Sequence, residues 1–209
     1  MFTPANLKED RVEVLHSLIK QHPLGAMVIN AGDGPTADHI PFILHDDGSI
    51  NGVLRGHVAK RNPVVEAAKA GVQTLVIFQG PQVYITPSWY PSKREHGKAV
   101  PTWNYALVHA HGTLSLQEDK AWLREHLDAL THRHEHMRSE PWAPSDAPVK
   151  FIDQQIGGIL GVQIKIDRFE GKWKVSQTKN VTDRAGVVEG LRQVATDDAK
   201  AMAELVKQV

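Results

Sequence analysis

Several stretches of the 209-residue sequence gather side chains that can do chemistry. In VLRGHVAKRNP, period-two alternation puts Arg55 and His57 on one face of an expected strand, with Lys60, Arg61 and Asn62 where it ends. Cations and an amide at a strand end suit a phosphate, and they suit a solvated strand terminus as well. YITPSWYPSK supplies Tyr84, Thr86, Ser88, Trp89, Tyr90 and Lys93. Aromatics beside hydroxyls and a lysine fit a flat heteroaromatic ligand with a polar edge, while Trp89 and Tyr90 also fit simple core packing. In VPTWNYALVHAHG, Thr102 and Asn104 share one face, and Pro101, Trp103 and Tyr105 share the other. His109 and His111 lie on one side of the same strand but show no third metal ligand in the sequence.

HRHEHMR places His132 and His136 at helical i, i+4, yet residue 138 is Arg, so the H-E-x-x-H pattern is absent and an exposed histidine face is the simpler reading. KWKVSQTKN offers Lys172, Trp173, Lys174, Ser176, Gln177 and Lys179, where a Ser-Gln pair either caps a ligand ring or closes a hairpin. There is no Ser-His-Asp set, Walker loop or zinc finger, so no catalytic residue and no metal site is assigned.

The elements that position these residues follow from periodicity. Val12, Leu15, Leu18 and Ile19 predict a helix over Leu7 to Gln21, ended by Pro23. Strand-like runs follow: LGAMVIN, the turn AGDGPT, ADHIPFIL, the turn HDDGS, then INGVLRGHVA. Asn62-Pro63 starts a short helix that Gly71 ends, and QTLVIFQ and QVYIT read as two more strands. A long helix is expected from Glu118 to Met137. After it come a proline-rich loop, a final hairpin turning at Glu170-Gly171, and a helical tail capped by Thr182. Six or seven short strands in hairpin order predict an antiparallel barrel, closed or partly closed, in a single domain over 1–209. A doubly wound parallel sheet would need regular strand–helix alternation and a glycine-rich phosphate turn.

Acidic and basic residues number 24 each, so no net field draws the chain to nucleic acid or an anionic membrane. Cysteine is absent, which removes disulfides and thiolate chemistry. MFTPANLKED lacks the basic start and apolar run of a signal peptide, and no stretch approaches ~20 apolar residues. A cytoplasmic protein with no membrane contact is expected.

Taken in order, MFTP, ADHIPF, VLRGHVAKRNP, LVIFQGPQVYITPSWYPSK, VPTWNYALVHAHG, Pro141-Trp142, GKWKVSQ and DRAGVVEGL resemble the PaiB family of FMN-binding negative transcriptional regulators, within the FMN-binding split-barrel superfamily. The resemblance covers nearly the whole chain. It implies a mainly β fold with peripheral helices (α+β), a Greek-key-like split β-barrel, FMN as cofactor, and a homodimer with its sites at the interface. It further implies phosphate and ring contacts from Arg55, His57, Lys60 and Asn62, with Tyr84, Thr86, Trp89 and Lys93 beside them. Thr102, Trp103 and Asn104 would reach the ligand across the interface, with Ser176 and Gln177 nearby. Lys60 stands where the family usually has arginine, Thr86 where it has serine, and Thr178 where it has asparagine. The resemblance implies a regulator, with DNA as a partner on family grounds alone. A second reading is an FMN-dependent reductase or oxidase related to pyridoxamine-phosphate oxidases, in which the flavin carries the electrons. A third, resting on the histidines, is a heme-binding or heme-degrading split barrel.

Overall fold

The computed structural model describes residues 1–30, 34–68 and 71–209. In chain order its elements are β1 (Lys8–Glu9), α1 (Val12–Gln21), β2 (Leu24–Asn30), β3 (Pro35–Pro41), β4 (Ile43–His45), β5 (Val53–Ala59), α2 (Val64–Ala68), β6 (Val72–Ile85), α3 (Lys93–His96), β7 (Thr102–Gln117), α4 (Lys120–Glu135), α5 (Val149–Gly157), β8 (Ile159–Lys174), α6 (Val181–Val194) and α7 (Asp197–Lys207). The strands follow the order β3-β2-β6-β7-β8-β5-β4, with β1 added on β8. The chain forms two compact units, one of residues 1–22, 78–109 and 169–209, the other of residues 23–77 and 110–168. Among the described residues no helix is long and apolar enough to cross a membrane.

In the first unit the N-terminal helix starts later than periodicity predicts. The Glu9 carboxylate accepts bonds from the Arg11 backbone N–H at 2.9 Å and from the guanidinium Nε and Nη2 at 2.9 and 2.6 Å, so α1 begins only at Val12. Its face then buries Leu15, Leu18 and Ile19. Glu9 pairs with Gly171. A Cβ at Gly171 would lie 2.4 Å from the Glu9 carbonyl oxygen, so this glycine permits close strand approach and is not a turn residue. The expected hairpin at Glu170-Gly171 is therefore replaced by one 16-residue strand, β8. The cap of α6 is Asn180, whose Oδ1 accepts from the Asp183 N–H at 2.7 Å, and not Thr182.

Ile85, Tyr90, Val187, Leu191, Met202 and Val206 form a buried cluster in this unit, with Trp89 packed against it. Two glycines of α6 make room for the segment carrying Trp89: a Cβ at Gly190 would sit 2.3 Å from its indole, and one at Gly186 would sit 2.0 Å from its carbonyl oxygen.

In the second unit β2 alternates as LGAMVIN predicts, with Met27 and Ile29 inward. It pairs antiparallel with β3 from Leu24↔Pro41 to Asn30↔Pro35. The expected run ADHIPFIL is split into β3 and β4 at the buried Phe42, whose N–H donates to the Pro23 carbonyl at 2.8 Å. Residues 31–33 of the expected AGDGPT turn and residues 69–70 of the expected 62–71 helix lie outside the described residues. β5 pairs antiparallel with β4 and β8. Leu123, Ile152 and Ile156 form a satellite core that seats α4 and α5. QTLVIFQ and QVYIT are one strand, β6, and not two.

Gly190→Ala is expected to destabilise the protein by about 1–3 kcal/mol through overpacking against Trp89. The readout is a lower urea midpoint at constant m-value; an unchanged midpoint would show that the indole can yield.

Candidate functional site

The expected site residues fall into two constellations, one in each unit. In the second unit, β5 alternation sends Leu54 and Val58 into the core and leaves Arg55 and His57 half-buried on the other face. That face is covered by α4, which starts at Asp119, a cap accepting from the Ala121 and Trp122 N–H groups. Trp122, Glu125 and His126 stand at i, i+3 and i+4 on the covering side. Arg55 Nη1 donates to Glu125 Oε1 at 3.1 Å, and its guanidinium lies 5.4 Å from the centre of the Trp122 ring. The indole stacks on His126 and fills the space over Gly161, where a Cβ would meet it at 2.3 Å.

His57 Nδ1 and His126 Nε2 are 3.2 Å apart, so one ring donates and the other accepts. Burial pushes both imidazoles below the usual histidine range. His126 falls to about 4, by burial first and then by the neighbouring His57 and Arg55. His126 Nδ1 and Arg55 Nε are buried without a hydrogen-bond partner. Asn62 accepts from the Val64 N–H at 2.9 Å and donates to Asp38 at 3.3 Å, and Lys60 is exposed beside it. Three of the four expected contacts in this stretch are thus held by the protein itself.

The other expected residues lie in the first unit, where they divide by role. Thr86 accepts from the Ser88 N–H at 3.2 Å and caps the turn Pro87–Trp89, whose indole is packed on Gly190. Lys93 is exposed on α3. Tyr84 and Trp103 meet edge to face at 6.2 Å and are both about half exposed. Thr102, Asn104, Ser176 and Gln177, drawn from two distant segments, line one pocket of about 340 Å³ with Lys174 and Lys179.

The interior of that pocket is tied together by side-chain bonds. Asn104 Nδ2 donates to Ser176 Oγ at 2.8 Å, with Asn104 1% and Ser176 7% exposed. Lys174 Nζ donates to Thr102 Oγ1 at 2.5 Å. Gln177 accepts from the Val175 N–H at 2.8 Å and donates to the carbonyls of Trp173 and Asn6, which clamps the loop after β8. Ser176 has φ 63°, left-handed backbone that a serine adopts only when its surroundings impose it. Beside the pocket, burial pushes the Asp183 carboxyl up, but two hydrogen bonds from Ser92 and the charges of Lys179 and His96 outweigh it and hold it low.

Sequence reasoning missed the partners more than the principals. Trp122 reads as an ordinary apolar helix position, and Glu125 carries no signal alone. Lys174 and Lys179 stand in KWKVSQTKN, where nothing local ties them to Thr102 or Tyr90. In the histidine-rich segment the His132 and His136 rings stack at 5.3 Å, and His136 Nδ1 lies 3.0 Å from the His132 carbonyl oxygen.

The His57–His126 pair has a consequence for stability. Both folded-state values lie below the unfolded one, so the unfolded chain binds more protons as pH falls from about 6.5 toward 4. Stability is complete above this window and lost through it, by at most about 3 kcal/mol for His126. Urea melts at pH 5 and 7 are expected to differ less in His126→Gln than in the wild type; equal pH dependence in the two proteins would contradict the assignment.

Residues 1–168 match the family model described as "Putative FMN-binding domain". The Emericella nidulans protein AN0679 is 36% identical, covering 100% of this chain and 97% of its own length. The Bacillus subtilis "Protease synthase and sporulation protein PAI 2" is 34% identical, with 99% of this chain and 97% of that protein covered. Among solved structures, the flavocytochrome Anf3 of Azotobacter vinelandii superposes with a TM-score of 0.59 at 15% identity, over 86% of this chain and 75% of that one. The FAD and heme binding protein of Mycobacterium smegmatis gives 0.58 at 20% identity, over 79% and 72%. The fold is the split β-barrel that the sequence motifs imply, and the chain belongs to the FMN-binding family of the PaiB type.

Proposed function

We propose that this chain binds FMN and acts as a cytoplasmic, flavin-responsive negative regulator of the PaiB type, working as a homodimer. One observation carries the flavin reading: Thr102 and Asn104 on one segment and Ser176 and Gln177 on another, far apart in sequence, converge on a single pocket whose hydroxyls, amides and ammonium groups suit a polar ligand. The Bacillus subtilis relative, whose name is "Protease synthase and sporulation protein PAI 2" and which is matched over 97% of its length, supports the regulatory part.

The residues present fit FMN in kind. Asn104 and Ser176 are oriented by each other, Gln177 fixes the loop that carries Ser176, and Tyr84 and Trp103 each leave an aromatic ring about half exposed. Lys60, Arg55 and His57 at β5 are the contacts the family resemblance implies in the second unit, where Arg55 is held by Glu125 and His57 by His126. Bound FMN would supply one- and two-electron redox chemistry. The Asn104–Ser176 pair and the loop held by Gln177 would orient it. A partner subunit would meet the exposed Phe2, Tyr84 and Trp103, aromatic area that a dimer would cover.

Titration of the purified protein with FMN, followed by flavin fluorescence, is expected to saturate at one FMN per chain. Asn104→Ala is expected to weaken binding at least about tenfold, the cost of one buried polar contact. Absence of saturable binding would contradict the flavin reading. The regulatory reading predicts that the FMN-loaded protein leaves NADH and NADPH unoxidised; steady turnover of either would move the assignment to a reductase.

A further inference from the structure

We infer that His132 and His136, one turn apart at the end of α4 in the second unit, form a binding site for a divalent transition-metal ion of the zinc, nickel or copper class. Both side chains line a pocket of about 400 Å³ with Asp128, Thr131 and Glu135 from the same helix and Trp142 from the segment after it. Asp128, His132 and His136 follow at i, i+4 and i+8, so one helix face carries two imidazoles and a carboxylate. His134, two positions from each histidine, lies on the far side of the helix.

The contacts fix which nitrogen is offered. His136 Nδ1 lies 3.0 Å from the His132 carbonyl oxygen and 3.1 Å from that of Arg133. Carbonyl oxygens only accept, so Nδ1 carries the proton and Nε2 keeps the lone pair that binds a metal. A ring N–H anchored on a backbone carbonyl is also the arrangement that orients a ligating histidine. The His132 ring stacks on this one, with centres 5.3 Å apart and planes 30° from parallel. Two nitrogens on one tetrahedral ion stand about 3.3 Å apart, so the pair has only to tip its Nε2 edges together. Among the described residues, neither the His132 ring nitrogens nor the Asp128 carboxylate has a hydrogen bond or ion pair to give up.

The surroundings favour a cation and keep the pocket in shape. The last turn of α4 is the negative end of the helix dipole, which attracts positive charge. Glu135 is spent on the outer wall: its Oε2 accepts from the Trp142 N–H at 3.2 Å, and its Oε1 pairs with Arg138 Nε at 3.0 Å. The Ala143 N–H donates to Asp146 at 2.8 Å and fixes that wall further. Two imidazoles leave the ion's other positions to water, with Asp128 one turn away to accept from it. A donor set of imidazoles suits late transition metals, whereas calcium and magnesium take oxygen ligands. Periodicity shows only a histidine-rich face; the chelating pair follows from the contacts.

Calorimetric titration of the full chain with Zn²⁺ tests the site, in wild type, His132→Gln and His134→Gln. The wild type is expected to bind one Zn²⁺ per chain here, His132→Gln to bind it at least about tenfold more weakly, and His134→Gln to match the wild type. His132→Gln keeps the His136 contacts to the helix end, and an unchanged far-UV circular dichroism spectrum checks that α4 is intact. Zinc held elsewhere among the chain's 12 histidines is common to all three proteins and cancels in the comparison. No uptake of Zn²⁺ by the wild type, equal affinity in wild type and His132→Gln, or an equal loss in both variants would each overturn the chelate.

Discussion

The hydrogen bond from Asn104 to Ser176 is the constraint on which the first unit's pocket depends. An amide buried this deeply costs several kcal/mol unless it is bonded, so the loop after β8 is drawn to β7 wherever the fold forms. The loop complies by placing Ser176 at a positive φ, and Gln177 locks the result by bonding to backbone on both sides. Lys174 and Lys179 are then fixed on the two sides of one residue. A single buried polar pair thus brings two distant strand ends to one pocket.

The second unit shows the opposite use of polar groups. Arg55 and His57 look like ligand contacts in sequence, but α4 brings them partners of its own: a carboxylate, an imidazole and an indole. Burial keeps both imidazoles neutral, so the two rings share a hydrogen bond without the repulsion that two imidazolium ions would suffer. The space for this cover is made by Gly161, the one residue type that lets Trp122 lie directly on the strand.

Much of the fold was legible because alternation and helical spacing are strong signals. β2, β5, α1 and α4 appear close to where their patterns put them. The errors fall where a local signal had two meanings. Gly171 after Glu170 reads as a turn, but its missing Cβ serves strand contact with Glu9, which no local rule can distinguish. Thr182 and Asn180 are both good caps, and the choice was decided by the Asp183 bonds. Thr102, Asn104, Ser176 and Gln177 are singled out by the family resemblance, and they line one pocket. Their mutual contact is not legible in the sequence, because pairings across some 70 positions leave no trace in periodicity. Trp89 and Thr86 show the converse, chemically suggestive residues whose visible work is packing and capping.

The most direct test of the central claim is a crystal structure of the full chain with FMN. The account predicts the flavin in the first unit's pocket, in hydrogen-bond reach of Asn104 and Ser176. A flavin seated elsewhere, with the pocket around Ser176 empty, would contradict it.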